Sequence, residues 1–180
     1  MIRPICRMGN PILRKVADEV KVTEIKTESF ARLIEDLKDS MKHYGGIGIA
    51  GPQIGIELKV CVIELVGFNR YGQDIHLPFT VFINPKIEVI DESVAGYWEG
   101  CLSVPGMRGF VERPQHIIVT FLNEHAEEKK IEAKGFLATV IQHELDHLFG
   151  KIFVDRLKDS TMLAFQEEFE QFLKIQTVID

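Results

Sequence analysis

The sequence predicts an α+β fold, with mixed or antiparallel β-strands arranged around a central helix and a further helix near the C-terminus. Apolar residues recur at helical spacing in three separate segments. Short runs rich in β-branched and aromatic residues lie between these segments. The strands and helices do not alternate regularly, which favours α+β over a doubly wound parallel sheet.

The three predicted helices are defined by their apolar spacing and by the glycines at their ends. The first covers Glu28–Tyr44 and ends at Gly45-Gly46, because glycine accepts the left-handed conformation at a helix C-terminus. The central helix follows Gly135, runs from Phe136 to about Phe149 and stops at Gly150. The last helix spans roughly Thr161–Gln176, with its aromatic residues on one face.

Five short segments have the composition of strands. They are Lys59–Val66, Val81–Ile83, Ile87–Ile90, His116–Leu122 and Lys129–Ala133. The pair Asn84-Pro85 separates the second segment from the third, and the polar turn Asn123–Glu127 joins the last two as a hairpin. The segment Gly67–Pro78 is predicted to be an exposed loop.

The size and charge of the chain restrict its class and its partners. Its 180 residues, of which 46% are hydrophobic, fit one domain over residues 1–180. The balance of 21 basic and 27 acidic residues gives a net charge of −6, which argues against nucleic acid or an anionic membrane as partner. The N-terminus has charge and proline where a signal peptide has an apolar run, so we expect a cytoplasmic protein without a membrane segment.

The three cysteines are an odd number and too few for a disulfide scaffold. Cys6 and Cys61 have apolar neighbours and are interpreted as packing residues. Cys101 differs, because Gly100 and Ser103 lie near it rather than a run of β-branched residues. Its thiol is therefore a candidate for chemistry.

The central helix carries two histidines at the spacing of a metal site. His143 and His147 lie one turn apart on nearly the same side, so their imidazoles can bind one ion without distortion of the backbone. Glu144 lies beside that line, where a general base must be to take a proton from an activated water. The alternative is two core histidines satisfied by hydrogen bonds, but the adjacent glutamate favours a catalytic site.

A catalytic metal site needs a third protein ligand. The chain has neither histidine nor cysteine after His147, so downstream candidates are carboxylates. They are Asp155, Asp159, Glu167 and Glu168. Upstream, Cys101 offers a thiolate within a short polar-edged segment.

Three motifs in fixed order resemble those of the peptide deformylase family. The glycine-rich segment Gly46–Gln53 is similar to the first motif, Glu99–Ser103 matches the second and Gln142–His147 matches the third. The likeness extends to Arg156 and to the N-terminal segment 11–17, so it covers nearly the whole chain. Gly51 departs from the family pattern, which usually has alanine there, and Trp98 is bulkier than the family suggests.

The resemblance implies a hydrolase that removes the N-formyl group from the N-terminal formylmethionine of newly synthesised proteins and releases formate. Cys101, His143 and His147 would bind one divalent metal ion, Fe(II) in vivo, with zinc, nickel or cobalt as substitutes. Glu144 would act as general base and then as general acid. The partners would be N-formylmethionyl peptides of nascent chains, and the resemblance leaves open whether the ribosome is a further partner.

The resemblance also assigns the remaining site residues. Gln53 and the backbone N–H of Leu102 would stabilise the oxyanion, although glutamine in a turn is by itself more often a surface residue. Backbone contacts to the peptide would come from three further positions. They are Ile47, Gly48 and Gly100. Arg108 would steady the peptide end and Thr139 would line the methionine pocket, but a solvated arginine and a core threonine are equally consistent with the sequence.

Two other functions fit parts of the pattern. A zinc endopeptidase would use the same helix motif, but the upstream Cys101 and the order of the motifs argue against it. A metal-binding interaction domain without catalysis would have no use for Glu144. Asp146 faces away from Glu144 around the helix, so we interpret it as a residue of an ion pair or a partner of a ligand rather than a ligand.

Overall fold

The computed structural model describes residues 1–68 and 74–174 and is built on a six-stranded sheet. The strands are β1 Gly48–Ala50, β2 Val60–Phe68, β3 Asp74–Cys101, β4 Val104–Leu122, β5 Glu128–Lys134 and β6 Leu163–Phe165. Their order in the sheet is β1-β2-β3-β4-β5, with β6 on β4, and every ladder between them is antiparallel. This confirms the predicted α+β class.

Two long helices lie close to their predicted bounds. Helix α1 is a single turn over Val22–Ile25, and α2 covers Glu28–His43, where the Thr27 hydroxyl accepts a hydrogen bond from the Phe30 N–H at the N-terminus. Helix α3 covers Gly135–Leu148 and is the predicted central helix. Within the described residues, four short 3-10 helices connect the other elements. They are Pro11–Arg14, Gly51–Ile54, Phe153–Arg156 and Ser160–Met162.

The sheet separates two apolar clusters, because alternate residues of a strand point to opposite faces. Cys61 and Ile63 of β2 belong to the cluster that includes α3, whereas Val60 and Val62 belong to the cluster that includes α2. The first of these clusters packs α3 against the strands. No helix in residues 1–68 and 74–174 is long and apolar enough to cross a membrane.

The prediction of two strands separated by Asn84-Pro85 is wrong. Both belong to the single strand β3, in which the register against β4 shifts between Ile83 and Lys86. Asn84 adopts a left-handed φ of 49°, and its side chain bonds the backbone N–H and C=O of Val20 at 2.9 and 2.8 Å. The bulge therefore accommodates the proline without ending the strand.

The prediction of a loop over Gly67–Pro78 is also wrong at both ends of that segment. Gly67 pairs with Ile75 across the β2–β3 ladder, and the strand continues through Leu77 and Pro78. Residues 69–73 of this predicted loop lie outside the described residues. The polar composition of the segment concealed a hairpin, because an exposed hairpin and an exposed loop use similar residues.

The last helix begins later than the spacing predicts. Residues 163–165 form β6, and α4 then covers Gln166–Glu168 and continues as a π-helix over Phe169–Leu173. Phe169 is buried, but Phe165 and Phe172 are exposed, so the aromatic spacing did not mark one buried face. Pairing with the edge of β4 at Met107–Gly109 keeps β6 extended. Residues 175 and 176 lie outside the described residues.

Candidate active site

The β3–β4 hairpin places a thiol against the central helix. Strand β3 ends at Cys101, which pairs with Val104 across the tight turn Leu102–Ser103. Backbone bonds join Met8 N–H to the Ser103 carbonyl at 2.7 Å and Cys6 N–H to the Gln53 carbonyl at 2.8 Å. The N-terminal segment thus ties this turn to the segment that carries Gln53.

The three predicted ligands come together. One donor atom from each of Cys101, His143 and His147 lies within 4.8 Å of the other two, and Cys101 Sγ lies 3.3 Å from His147 Nε2. Burial raises the pKa of the Cys101 thiol, but the two imidazoles lower it by more, so it lies well below the usual thiol value. The geometry therefore favours a thiolate, which is the form that binds metals.

The donor set fits one divalent ion. Metal–sulfur and metal–nitrogen bonds of about 2.3 and 2.0–2.1 Å at tetrahedral angles separate sulfur from nitrogen by about 3.5 Å. The 3.3 Å separation of Cys101 Sγ from His147 Nε2 is close to that value. The residues present fit a cation held by one thiolate and two imidazoles. The alternative carboxylate Asp155 instead caps the backbone N–H of Ile152 at 2.8 Å.

A buried chain of charges supports His143. Its Nδ1 lies 2.7 Å from Glu99 Oε2, and Arg113 donates to both Glu99 oxygens at 2.6 and 3.0 Å. Arg113 also donates to Asp146 at 2.8 Å, and Arg156 donates to the same carboxylate. Burial raises the pKa of the Glu99 carboxyl, but hydrogen bonds with His143 and Arg113 lower it by more. Because its carboxylate accepts hydrogen bonds from Arg113 and Arg156, Asp146 is an ion-pair residue, as predicted.

Sequence reasoning assigned no role to Glu99 or Arg113. A signal for Glu99 was available, because residues two apart in a strand face the same side and Glu99 precedes the ligand Cys101 by two. Arg113 lies 14 residues after Glu99 in the sequence and contacts it across the β3–β4 ladder. Its role depends on strand register, and no local pattern specifies that.

Glu144 is buried beside the ligand cluster. In the described part of the chain its Oε2 atom has no hydrogen-bond partner. Burial raises the pKa of this carboxyl by more than the two neighbouring histidines lower it. Strand β1 approaches closely, since a Cβ added at Gly48 would lie 2.5 Å from Glu144 Oε1. A buried carboxylate with an unused oxygen is suited to accept a proton from a bound water.

Gln53 is buried, not a surface residue of a turn. Its Oε1 accepts a hydrogen bond from Ala50 N–H at 2.8 Å, which directs Nε2 toward the cluster. Nε2 lies 3.4 Å from Cys101 Sγ and 3.2 Å from Ser103 Oγ. The amide donor thus sits at the ligands, where an oxyanion could be stabilised.

Two adjoining cavities contain the other predicted residues. The larger, about 490 Å³, is lined by residues of all three motifs and by Arg108. The predicted residues on its wall are Ile47, Gly48, Gln53, Gly100, Cys101, Leu102, Arg108, His143 and Glu144. The smaller, about 60 Å³, shares Ile47, Gly100, His143 and Glu144 with it and is also lined by Thr139 and Trp98. Thr139 is 1% exposed and lies 3.4 Å from the Gln115 amide nitrogen.

Comparison with known proteins identifies the family. Residues 2–162 match the model of the polypeptide deformylase family. The chain belongs to that family. It is 42% identical over 170 residues to the peptide deformylase of Leptospira biflexa, a match that covers 94% of this chain and 95% of that protein. It is 45% identical over 170 residues to peptide deformylase 1 of Prochlorococcus marinus, with 94% and 88% covered.

Solved structures agree with this membership. A class I type b peptide deformylase from Acinetobacter baumannii with bound Met-Ala-Ser superposes with a TM-score of 0.83 at 32% identity, covering 87% of this chain and 99% of that one. A deformylase from Synechococcus elongatus in complex with actinonin gives a TM-score of 0.77 at 34% identity, with 94% and 85% covered. The chain is therefore a metal-dependent hydrolase that removes N-formyl groups from new peptides.

Proposed function

We propose that residues 1–180 form a single catalytic domain that hydrolyses the formyl group of N-terminal formylmethionine on nascent chains and releases formate. The observation that carries this proposal is the buried carboxylate of Glu144 beside one thiolate and two imidazoles whose donor atoms lie within 4.8 Å. Since such substrates arise during translation, we assign the activity to the cytoplasm. The ribosome is a candidate partner, with the C-terminal helix as its candidate contact.

Cys101, His143 and His147 would hold one divalent cation, and we propose Fe(II) in vivo, with zinc, nickel or cobalt as substitutes. A thiolate with two imidazoles suits both iron(II) and zinc. A cation held there supplies Lewis acidity and lowers the pKa of water from ~16 toward ~7. Glu99 fixes the orientation of the His143 ring through Nδ1, which leaves Nε2 for the ligand cluster.

Glu144 would move the proton. Its carboxylate accepts a proton from the water that attacks the formyl carbon and then donates it to the amine nitrogen as the C–N bond breaks. The products are formate and a free N-terminal amine. The burial that raises the pKa of Glu144 makes this carboxylate a stronger base than an exposed glutamate.

The amide of Gln53 and the backbone N–H of Leu102 would stabilise the negative charge on the formyl oxygen. The loss of one such donor typically lowers turnover by ~10²–10³-fold. The hydrogen bond from Ala50 N–H holds the Gln53 amide in one orientation, so the donor does not have to reorganise during the reaction.

The cavity walls would bind the peptide. Ile47, Gly48 and Gly100 would contact its backbone, and Thr139 with the smaller cavity would receive the methionine side chain. Arg108 would contact the residues that follow. The Met-Ala-Ser tripeptide in the Acinetobacter relative supports a peptide in this cavity.

The test combines metal content and activity on one sample. The protein is purified without oxygen, its metals are measured, and formate release from N-formyl-Met-Ala-Ser is followed. We expect about one equivalent of metal and formate release without cleavage of internal peptide bonds. Protein that holds metal yet releases no formate would overturn the proposed function.

A cysteine variant tests the ligand set. Cys101→Ala removes one of three donors, so we expect metal content to fall well below one equivalent and formate release to fall with it. Cys6→Ala is the matched control, because Cys6 is half-buried outside the ligand cluster and should leave both quantities unchanged. Unchanged metal content in Cys101→Ala would remove the thiol from the ligand set.

A further inference from the structure

The C-terminal segment reaches the substrate cavity although it lies beyond the residues matched by the family model. That match ends at residue 162, whereas Gln166 lines the larger cavity together with Arg108, Gly100 and Glu144. Gln166 is half-buried at the start of α4, directly after β6. This part of the chain is therefore a wall of the proposed site.

The guanidinium of Arg108 is held in a fixed position between Gly100 and Gln166. A Cβ added at Gly100 would lie 1.8 Å from Arg108 Nη1, so the guanidinium rests directly against the backbone that precedes the ligand Cys101. The Nε–H group of Arg108 donates to Gln166 Oε1. Because guanidinium is planar, one hydrogen bond at Nε together with the contact at Nη1 defines the plane of the whole group.

Gln166 is itself anchored on both sides. On the N-terminal side, β6 pairs with β4, where Ala164 is opposite Arg108 and Leu163 is opposite Gly109. On the C-terminal side, Phe169 is 3% exposed and its ring centroid lies 5.0 Å from that of Trp98, a residue of the smaller cavity. The backbone at Gln166 is thus held by a strand before it and a buried aromatic contact after it, and its Nε2 atom donates a hydrogen bond to Glu170.

We propose that Gln166 is a positioning residue that holds the Arg108 guanidinium for the peptide segment behind the formylated methionine. The inference rests on the proposed function, because it assigns that segment to this end of the cavity. Peptide carbonyl and carboxylate oxygens are acceptors for a guanidinium. Peptides long enough to reach Arg108 bind through it, and formylmethionine alone does not.

The test compares substrate length. For Gln166→Ala we expect the KM for N-formyl-Met-Ala-Ser to rise about 3- to 10-fold with kcat unchanged. The reason is that Arg108 is no longer held in place, so its charged hydrogen bond to the peptide is weakened. The KM for N-formylmethionine amide should not change. Binding of the product Met-Ala-Ser, measured by calorimetry, should weaken by the same factor.

Three further variants separate positioning from a general structural effect. Gln166→Glu combined with Glu170→Gln keeps both an acceptor for Arg108 and a hydrogen bond between positions 166 and 170, and should retain the wild-type KM. Glu167→Ala alters an exposed neighbour on the same turn and should behave as wild type. Arg108→Ala should raise the tripeptide KM at least about tenfold, and adding Gln166→Ala to it should have no further effect.

The outcomes are distinct. If the wild-type protein releases no formate, the proposed function fails. If it does, and Gln166→Ala changes both substrates equally or adds its full effect to Arg108→Ala, then Gln166 does not act through Arg108 and this inference is wrong.

Discussion

The buried charged groups on the two sides of the ligand cluster differ in whether they have partners. On the His143 side, Glu99, Arg113 and Asp146 are buried and each is paired with an opposite charge. On the Glu144 side, the carboxylate is equally buried, but within residues 1–68 and 74–174 its Oε2 has no partner. The charged residues beside His143 are all paired, whereas Glu144 retains an unused acceptor and, among the described residues, Nδ1 of the ligand His147 also has no hydrogen-bond partner.

This difference indicates that the two sides of the cluster have separate functions. A buried ion pair with its hydrogen bonds satisfied holds its members in one geometry, which is what a metal ligand needs. A buried carboxylate without a partner is costly in the folded state, and such groups concentrate where a proton must be accepted. The paired side should therefore govern metal retention, and the unpaired side should govern turnover.

Glu144→Gln is the change with the largest expected effect. Glutamine keeps the shape of the side chain but cannot accept and return a proton, so we expect turnover to fall by ~10²–10⁴-fold. Metal content should remain at the wild-type level, because the three donor atoms are untouched. Formate release per bound metal measures the effect.

Two results would contradict the separate function assigned to Glu144. Near-normal formate release would mean that another group accepts the proton. Loss of metal from Glu144→Gln would show that both sides of the cluster serve metal retention.

The sequence predicted the parts of this site that depend on short-range spacing. His143, Glu144 and His147 lie on one helix, so helical geometry alone brings them together. Gln53, Leu102 and Gly48 came from the family resemblance, because only the folded sheet brings them near α3. Glu99 and Arg113 were missed as functional residues, since their contact depends on the register of two long strands that sequence patterns divided into short ones. Gln166 was hidden inside a predicted helix that begins later.

Glu99→Gln tests the paired side. It removes a charge that Arg113 and His143 share, so we expect metal affinity to fall ~10–100-fold, a typical loss when a partner of a ligand is changed. Turnover per bound metal should change much less than in Glu144→Gln. Competition with a chelator measures affinity, and formate release normalised to metal measures turnover.

A matched control for Glu99 lies at the other end of the same chain of charges. Arg156 is partly exposed and contacts Asp146 but not Glu99 or the ligands. Arg156→Gln should therefore leave metal affinity within about twofold of wild type, because exposed ends of ion-pair chains contribute little. Equal losses in both variants would mean that Glu99 acts through general stability.

Gly48→Ala has the smallest expected effect and tests the unpaired side through packing. The added Cβ would lie 2.5 Å from Glu144 Oε1 and 2.6 Å from its Cδ, so the carboxylate must move to relieve the contact. We expect turnover to fall about tenfold with metal content unchanged, since a small displacement of a reacting group is enough for such a loss. In a Glu144→Asp background, where the side chain is one methylene shorter, Gly48→Ala should lower turnover by a smaller factor. A full and equal loss in both backgrounds would place the effect of Gly48 on the peptide backbone rather than on the carboxylate.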